Sequence, residues 1–149
     1  MSNNKNRKEG GFTIIEVLIV LAIAGLIMLI VFLAVPALQR NSRNTQRKND
    51  ISAILGAVSE YTNNNGGVQP AAASDFTGNA KLGYYKSTDV SFSTNGTTGT
   101  NVNTIYVTLG ARCTNATTAP ATTNATSRNV AAWFYVETAG GTQGQCQES

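Results

Sequence analysis

An α+β architecture follows from three features of the sequence. The first is an unbroken apolar run from Val17 to Leu38. The second is a helical apolar periodicity that carries on to about Thr62. The third is a set of short segments beyond Gly67, rich in β-branched and aromatic residues. The expected fold is a long N-terminal α-helix, transmembrane and then amphipathic, packed on a small antiparallel β-sheet domain. The 149 residues divide accordingly into a basic leader (1–11), a membrane-length segment (12–39), an amphipathic continuation (40–65) and a β-rich globular domain (66–149).

Composition narrows the function classes. Charged residues are 13% of the chain, about half the share usual in soluble domains. The net charge of +3 arises mainly from Lys5/Arg7/Lys8 and Arg40/Arg43/Arg47/Lys48. From Gly66 onward Lys81, Lys86, Arg112 and Arg128 balance Asp75, Asp89, Glu137 and Glu148. A balanced distal domain gives no footprint for a phosphate backbone, so nucleic acid is not an expected partner. The chain has no histidine, and its four distal carboxylates are scattered. No catalytic constellation, phosphate-binding glycine loop or metal-ligand spacing emerges. The expectation is a non-enzyme without metal or cofactor.

The leader MSNNKNRKEGG is polar and basic and ends in two glycines. The apolar run behind it would span about 33 Å as a helix, against roughly 30 Å of hydrocarbon. It exceeds the core of an ordinary signal peptide. Three readings compete. A signal peptide cut after Val35-Pro36-Ala37 must carry an overlong core with Glu16 at its start. A plain single-pass anchor fits the length but leaves Glu16 without a purpose, and an intramembrane carboxylate costs roughly 2.5–3.5 kcal/mol at the helix centre, less near the interface. The third reading supplies a partner. A cut between Gly11 and Phe12, at a bond that Gly-Gly leaves accessible, creates an ammonium four residues before Glu16. That ammonium could pair with Glu16 of a neighbouring copy. Glu16 also stands in the first helical turn, where the macrodipole favours an acid.

The segment Gly11-Phe12-Thr13-Ile14-Ile15-Glu16-Val17-Leu18 resembles the prepilin cleavage motif of type IV pilins and the related type II secretion pseudopilins. The resemblance covers the first 40 residues by motif and the next 25 by helical pattern. It implies that Gly11 is the last leader residue, read by a prepilin peptidase on the cytoplasmic side. Phe12 then becomes the N-methylated terminus, and Glu16 neutralises a neighbour's terminus during assembly. Gly25 matches the glycine at which family helices loosen in a fibre. Pro36 resembles the downstream helix-bending proline, three residues later than is common. Glycine and proline are also simply frequent in membrane helices, and a proline bends a helix whatever its function. The implied partners are further copies in a helical filament, membrane lipid before assembly, an inner-membrane assembly platform and an assembly ATPase. The implied location is the cytoplasmic membrane, leader inside, and later the extracellular pilus. Lys/Arg bias does not itself orient the chain, since the leader and the stretch from Arg40 to Asp50 are comparably basic.

Beyond the membrane segment, Ile51, Ile54, Leu55, Val58 and Thr62 keep a helical stripe, and Asn63 to Gly67 followed by Pro70 stops it. From Thr13 to Thr62 the helix would extend roughly 75 Å if straight. Arg40, Arg43 and Arg47, with Lys48 beside them, form a basic juxtamembrane stretch on nearly the same face as Ile51. It is expected to face headgroups and later acidic groups on neighbours, or to be a solvated charged face. Leu82–Tyr85, Val90–Phe92, Ile105–Leu109 and Val130–Val136 read as strands, with Asn95-Gly96 as a turn. Phe92, Tyr106, Trp133, Phe134 and Tyr135 are the large core candidates.

Cys113 and Cys146 are the only cysteines. Either they form one disulfide, stabilising a thin core by about 3–4 kcal/mol on the chain-entropy model, or they are two buried thiols. The three Asn-X-Thr matches at Asn95, Asn115 and Asn124 are at chance level for so Asn- and Thr-rich a chain. The function expected is a structural subunit of a type IV pilus. The alternatives are a type II secretion pseudopilin, a minor or competence pilin, and a bitopic surface protein whose distal domain binds a ligand.

Overall fold

The computed structural model describes residues 10–94, 99–121 and 125–149. The basic cluster Lys5/Arg7/Lys8 and the Asn95-Gly96 turn lie outside the described residues. The chain forms two compact units that meet between Leu38 and Gln39.

The first unit is the leading part of helix α1 (Ile14–Asn64). It is the one described helix long and apolar enough to cross a membrane, and none of its most apolar stretch is buried. Leu26, Phe32 and Leu33 stand 61–75% exposed. The helical backbone continues through Gly25 and Pro36, although Pro36 has no N–H to donate to the preceding turn.

In the second unit, α1 contributes Ile51, Ile54 and Val58, all fully buried, with Leu55 and Ala57 beside them. Their 3-4 spacing keeps them on one face. The helix ends where Gly66 (φ 65°) and Gly67 (φ 92°) turn the backbone left-handed and the Gly67 N–H donates to the Thr62 carbonyl at 2.8 Å. A short helix α2 (Ser74–Thr77) then inserts Phe76, fully buried, into the core.

Four strands follow: β1 (Val90–Ser93), β2 (Ile105–Leu109), β3 (Val130–Thr138) and β4 (Gly141–Glu148), ordered 1-2-3-4 across one sheet. The α+β class is as expected, and β2 coincides with its expected span. The sheet is mixed rather than wholly antiparallel: β1 runs parallel to β2, with Val90 opposite Ile105. A parallel pair needs a returning connection instead of a tight hairpin. The β2–β3 and β3–β4 pairs are antiparallel.

Period-2 alternation in β3 builds two apolar layers. Val130, Ala132, Phe134 and Val136 join Ile51, Ile54, Leu55 and Val58 in the main core. Ala131 and Trp133 pack on the opposite face with Ala111 and Cys146, flanked by Tyr106, Cys113 and Tyr135. Of the expected large core residues, Phe134 and Trp133 are buried, while Phe92, Tyr106 and Tyr135 are half-buried. Phe76 and Tyr85 belong to the buried set as well. Gly144 in β4 lies under the Trp133 ring, where a Cβ would collide.

Leu82–Tyr85 is not a strand. Its backbone donors are taken by a carboxylate: Gly83 N–H donates to Asp50 Oδ1 (2.8 Å), and Tyr84 and Tyr85 N–H donate to Asp50 Oδ2 (2.8 and 2.9 Å). Three successive amides converging on one side chain cannot alternate across a ladder.

Candidate functional site

The N-terminal site is built from Gly11, Phe12, Thr13 and Glu16. Gly10 to Phe12 lie ahead of α1 in exposed backbone outside any helix or strand, so the Gly11–Phe12 bond is open to solvent. Thr13 caps the helix. Its N–H and its hydroxyl donate to Glu16 Oε2 at 2.8 and 2.7 Å, and the Glu16 N–H reaches back to Thr13 Oγ1 at 3.4 Å. Thr-Ile-Ile-Glu is therefore a reciprocal capping box, in which two otherwise orphaned amides are satisfied. The sequence reading singled out Glu16 and passed over Thr13, although the Thr-x-x-Glu spacing is itself the signal. Beside Glu16 runs an apolar groove of about 320 Å³ lined by Phe12, Glu16, Val17, Val20 and Leu21.

Farther along this unit, a Cβ added at Gly25 would meet nothing within 4 Å. No packing within the unit requires glycine there. Pro36 is exposed. The functional roles expected for both stand as expectations about other states of the helix.

The basic stretch is arranged differently from the expectation of a headgroup-facing patch. Arg43 forks onto Glu137 of β3, with Nε at 3.0 Å from Oε1 and Nη2 at 2.5 Å from Oε2. Arg47 is 3% exposed. It donates to Glu137 Oε1 (3.0 Å), to the Tyr135 carbonyl (3.1 Å) and to the Tyr84 hydroxyl (2.5 Å). Asn44 completes the group, donating to the Glu137 carbonyl at 2.7 Å and accepting the Glu137 N–H at 2.8 Å. The cause is visible in the register. Paired residues of β2 reach only Trp133 of β3, so from Tyr135 onward β3 keeps β4 on one side but lacks a strand on its β2 side, where Asn44 and Arg47 take its place. Arg40 is half-buried, and Lys48 alone of the four is exposed.

Electrostatics agree with this inward pairing. The Arg43 hydrogen bonds hold the Glu137 carboxyl below the usual carboxylate range, against its partial desolvation. Glu148 is likewise lowered, first by the Cys113 N–H at 2.9 Å and then by Arg112. Burial pushes the Tyr85 phenol up to about 12. Its hydroxyl has no partner among the described residues.

Cys113 and Cys146 form a disulfide with Cα atoms 5.7 Å apart. It joins the segment after β2 to β4, and the Cys146 N–H donates to the Ala116 carbonyl at 2.8 Å. Cys146 stands in β4, a strand not among the four that the sequence predicts. Among the described residues no three His, Cys, Asp or Glu side chains converge into a metal-binding group. Asn115 accepts from its own Thr117 N–H and hydroxyl (2.9 and 3.2 Å). Asn95 and Asn124 lie outside the described residues.

Residues 6–32 match a family model described as the prokaryotic N-terminal methylation motif. The match takes in Gly11, Phe12, Thr13, Glu16 and Gly25 and ends before Pro36. This motif is that of substrates of prepilin-type processing, pilins and pseudopilins. It marks a structural segment rather than a catalytic one. No curated protein sequence and no solved structure matches the chain.

Proposed function

We propose that the chain is a prepilin: a membrane-stored subunit cut after Gly11, N-methylated at Phe12 and assembled through its helix into an extracellular filament of the type IV class. The observation that carries this reading is the coincidence of the methylation motif over residues 6–32 with an apolar helix whose side chains stand exposed. A bilayer can bury that surface, and so can a bundle of identical helices. Transfer from one to the other keeps the apolar area out of water. The energy for extraction would come from an assembly ATPase, acting through an inner-membrane platform. Glu16 supplies register by meeting the ammonium that cleavage creates on a neighbour. Gly25 and Pro36 are the positions at which the helix would loosen or bend inside the filament. Within the basic stretch Arg40 to Lys48, Lys48 is the exposed cation, placed to meet lipid headgroups.

A second reading keeps the helix as a permanent anchor for a distal binding domain. It is favoured by one observation, that the capping box gives Glu16 a local structural purpose without any neighbour. Processing separates the two. Wild-type and Gly11→Val chains expressed with an active prepilin peptidase should differ in intact mass, the first beginning at methylated Phe12 and the second retaining residues 1–11. A wild-type chain that keeps its leader would leave the anchor reading. A pseudopilin or minor pilin would be processed in the same way but would stay largely with the membrane.

A further inference from the structure

Beside the short helix α2 the distal unit holds a cavity of about 490 Å³, within the range of about 300–1,000 Å³ typical of small-molecule sites. It is lined by the hydroxyl residues Ser74, Thr77 and Ser87, by Lys86, and by Leu82 and Tyr85. Tyr85 is 4% exposed, and its hydroxyl has no partner among the described residues. Burial keeps that phenol protonated at neutral pH, so it is a hydrogen-bond donor. A buried hydroxyl left without a partner is unfavourable, and this one belongs to a residue on the wall of a cavity large enough to hold one.

The surroundings are fixed in advance. Asp50 accepts the Tyr84 and Tyr85 N–H groups, Asp89 accepts the Lys86 N–H at 2.9 Å, and Asp75 accepts the Ala71 and Ala72 N–H groups at 2.9 and 3.0 Å. A backbone so pinned loses little freedom when a ligand arrives. The three carboxylates are committed to amides, and none is among the residues lining the cavity. Lys86 takes part in none of the ion pairs among the described residues. We propose that this cavity binds a sugar acid: Lys86 meets the carboxylate, Tyr85 and its neighbouring hydroxyls bond the ring hydroxyls, and Leu82 packs on the C–H face of the ring. Hydroxyl groups both donate and accept, which suits a ligand whose own hydroxyls do both. The inference concerns the distal unit alone and holds whether the chain is assembled or remains an anchor.

The test is titration calorimetry on full-length protein solubilised in a sugar-free detergent, with D-glucuronate as probe beside D-glucose and acetate. Glucuronate should bind saturably, and glucose and acetate each about tenfold more weakly or worse, the size of one lost charge-assisted contact. Tyr85→Phe should weaken glucuronate binding about tenfold. Its Tm without ligand should stay at or above wild type, because the change removes an unpaired hydroxyl. Lys86→Gln should lower glucuronate to the affinity that wild type shows for glucose. No saturable binding of glucuronate at millimolar concentration, or an affinity unchanged by either substitution, would overturn the proposal. Equal affinity for glucose would remove the role of charge, and equal affinity for acetate would leave a simple anion site at Lys86; either overturns it. A marked fall in Tm for ligand-free Tyr85→Phe would give the hydroxyl a structural role and overturn it as well. Leader cleavage and release into sheared material should be unaffected by both substitutions, so failure here is distinguishable from failure of the prepilin reading.

Discussion

Replacing Asp50 by asparagine should damage the distal unit far more than its conservative shape suggests. The side chain is 3% exposed and accepts three backbone amides, two of them on Oδ2. An asparagine has one acceptor oxygen. In its better orientation that oxygen serves Tyr84 and Tyr85, and its NH₂ then faces the Gly83 N–H, donor against donor. The unsatisfied amide costs about 1–2 kcal/mol, and turning two charge-assisted bonds into neutral ones costs about 1 kcal/mol each. The sum is roughly 3 kcal/mol, equivalent to a fall of about 10–20 °C in Tm for a domain of this size. The chain has one tryptophan. Trp133 is 8% exposed in β3, so its fluorescence reports unfolding of this unit in detergent-solubilised full-length protein. The exposed neighbour Asn49, changed to alanine, should stay within about 0.5 kcal/mol. If Asp50→Asn also stays within about 0.5 kcal/mol of wild type, the account of residues 82–85 as a carboxylate-bound loop is refuted.

Removing the Glu137 carboxylate by Glu137→Gln leaves the buried Arg47 guanidinium without its counter-ion. A destabilisation of about 1–3 kcal/mol is expected, discounted from a fully buried pair because the Glu137 side chain is 21% exposed. The sign with pH follows from a lowered folded-state pKa: the stabilisation is fully present above the unfolded carboxylate pKa of about 4.3, and it is lost as pH falls through the lower folded value. Wild-type protein should therefore lose stability in acid, and Glu137→Gln should flatten part of that loss in a pH series of thermal melts. Replacing both Cys113 and Cys146 by serine should cost about 2–5 kcal/mol. Denaturant melts by Trp133 emission should show the loss, because Trp133 packs in the same cluster as Cys146.

Parts of this fold were legible because local pattern and tertiary demand agree. The helical stripe at Ile51, Ile54 and Val58 is buried as its spacing indicates, and Ile105–Leu109 forms a strand where its β-branched residues place one. The parts that were not legible depend on contacts distant in sequence. Leu82–Tyr85 has strand-like composition, but its amides answer to Asp50, more than thirty positions earlier. Arg47 reads as a surface cation until β2 stops short and the open backbone of β3 draws it inward. β4, Gly-Thr-Gln-Gly-Gln-Cys-Gln-Glu, carries no apolar alternation, because it lies at the sheet edge and pairs through backbone and disulfide instead. At the N-terminal site Glu16 stood out as an acid beside an apolar run. Thr13 was missed because its partner, three residues on, had already been assigned to a neighbouring copy.

On the proposed function, this helix is released from its leader and carried out of the membrane within a filament. Intact mass and N-terminal analysis of protein from sheared surface material, set against protein from membranes, tests it most directly. The expected result is a chain beginning at N-methylated Phe12, abundant in the sheared fraction. A chain that retains residues 1–11 and remains in the membrane, in cells whose prepilin peptidase is active, would contradict it.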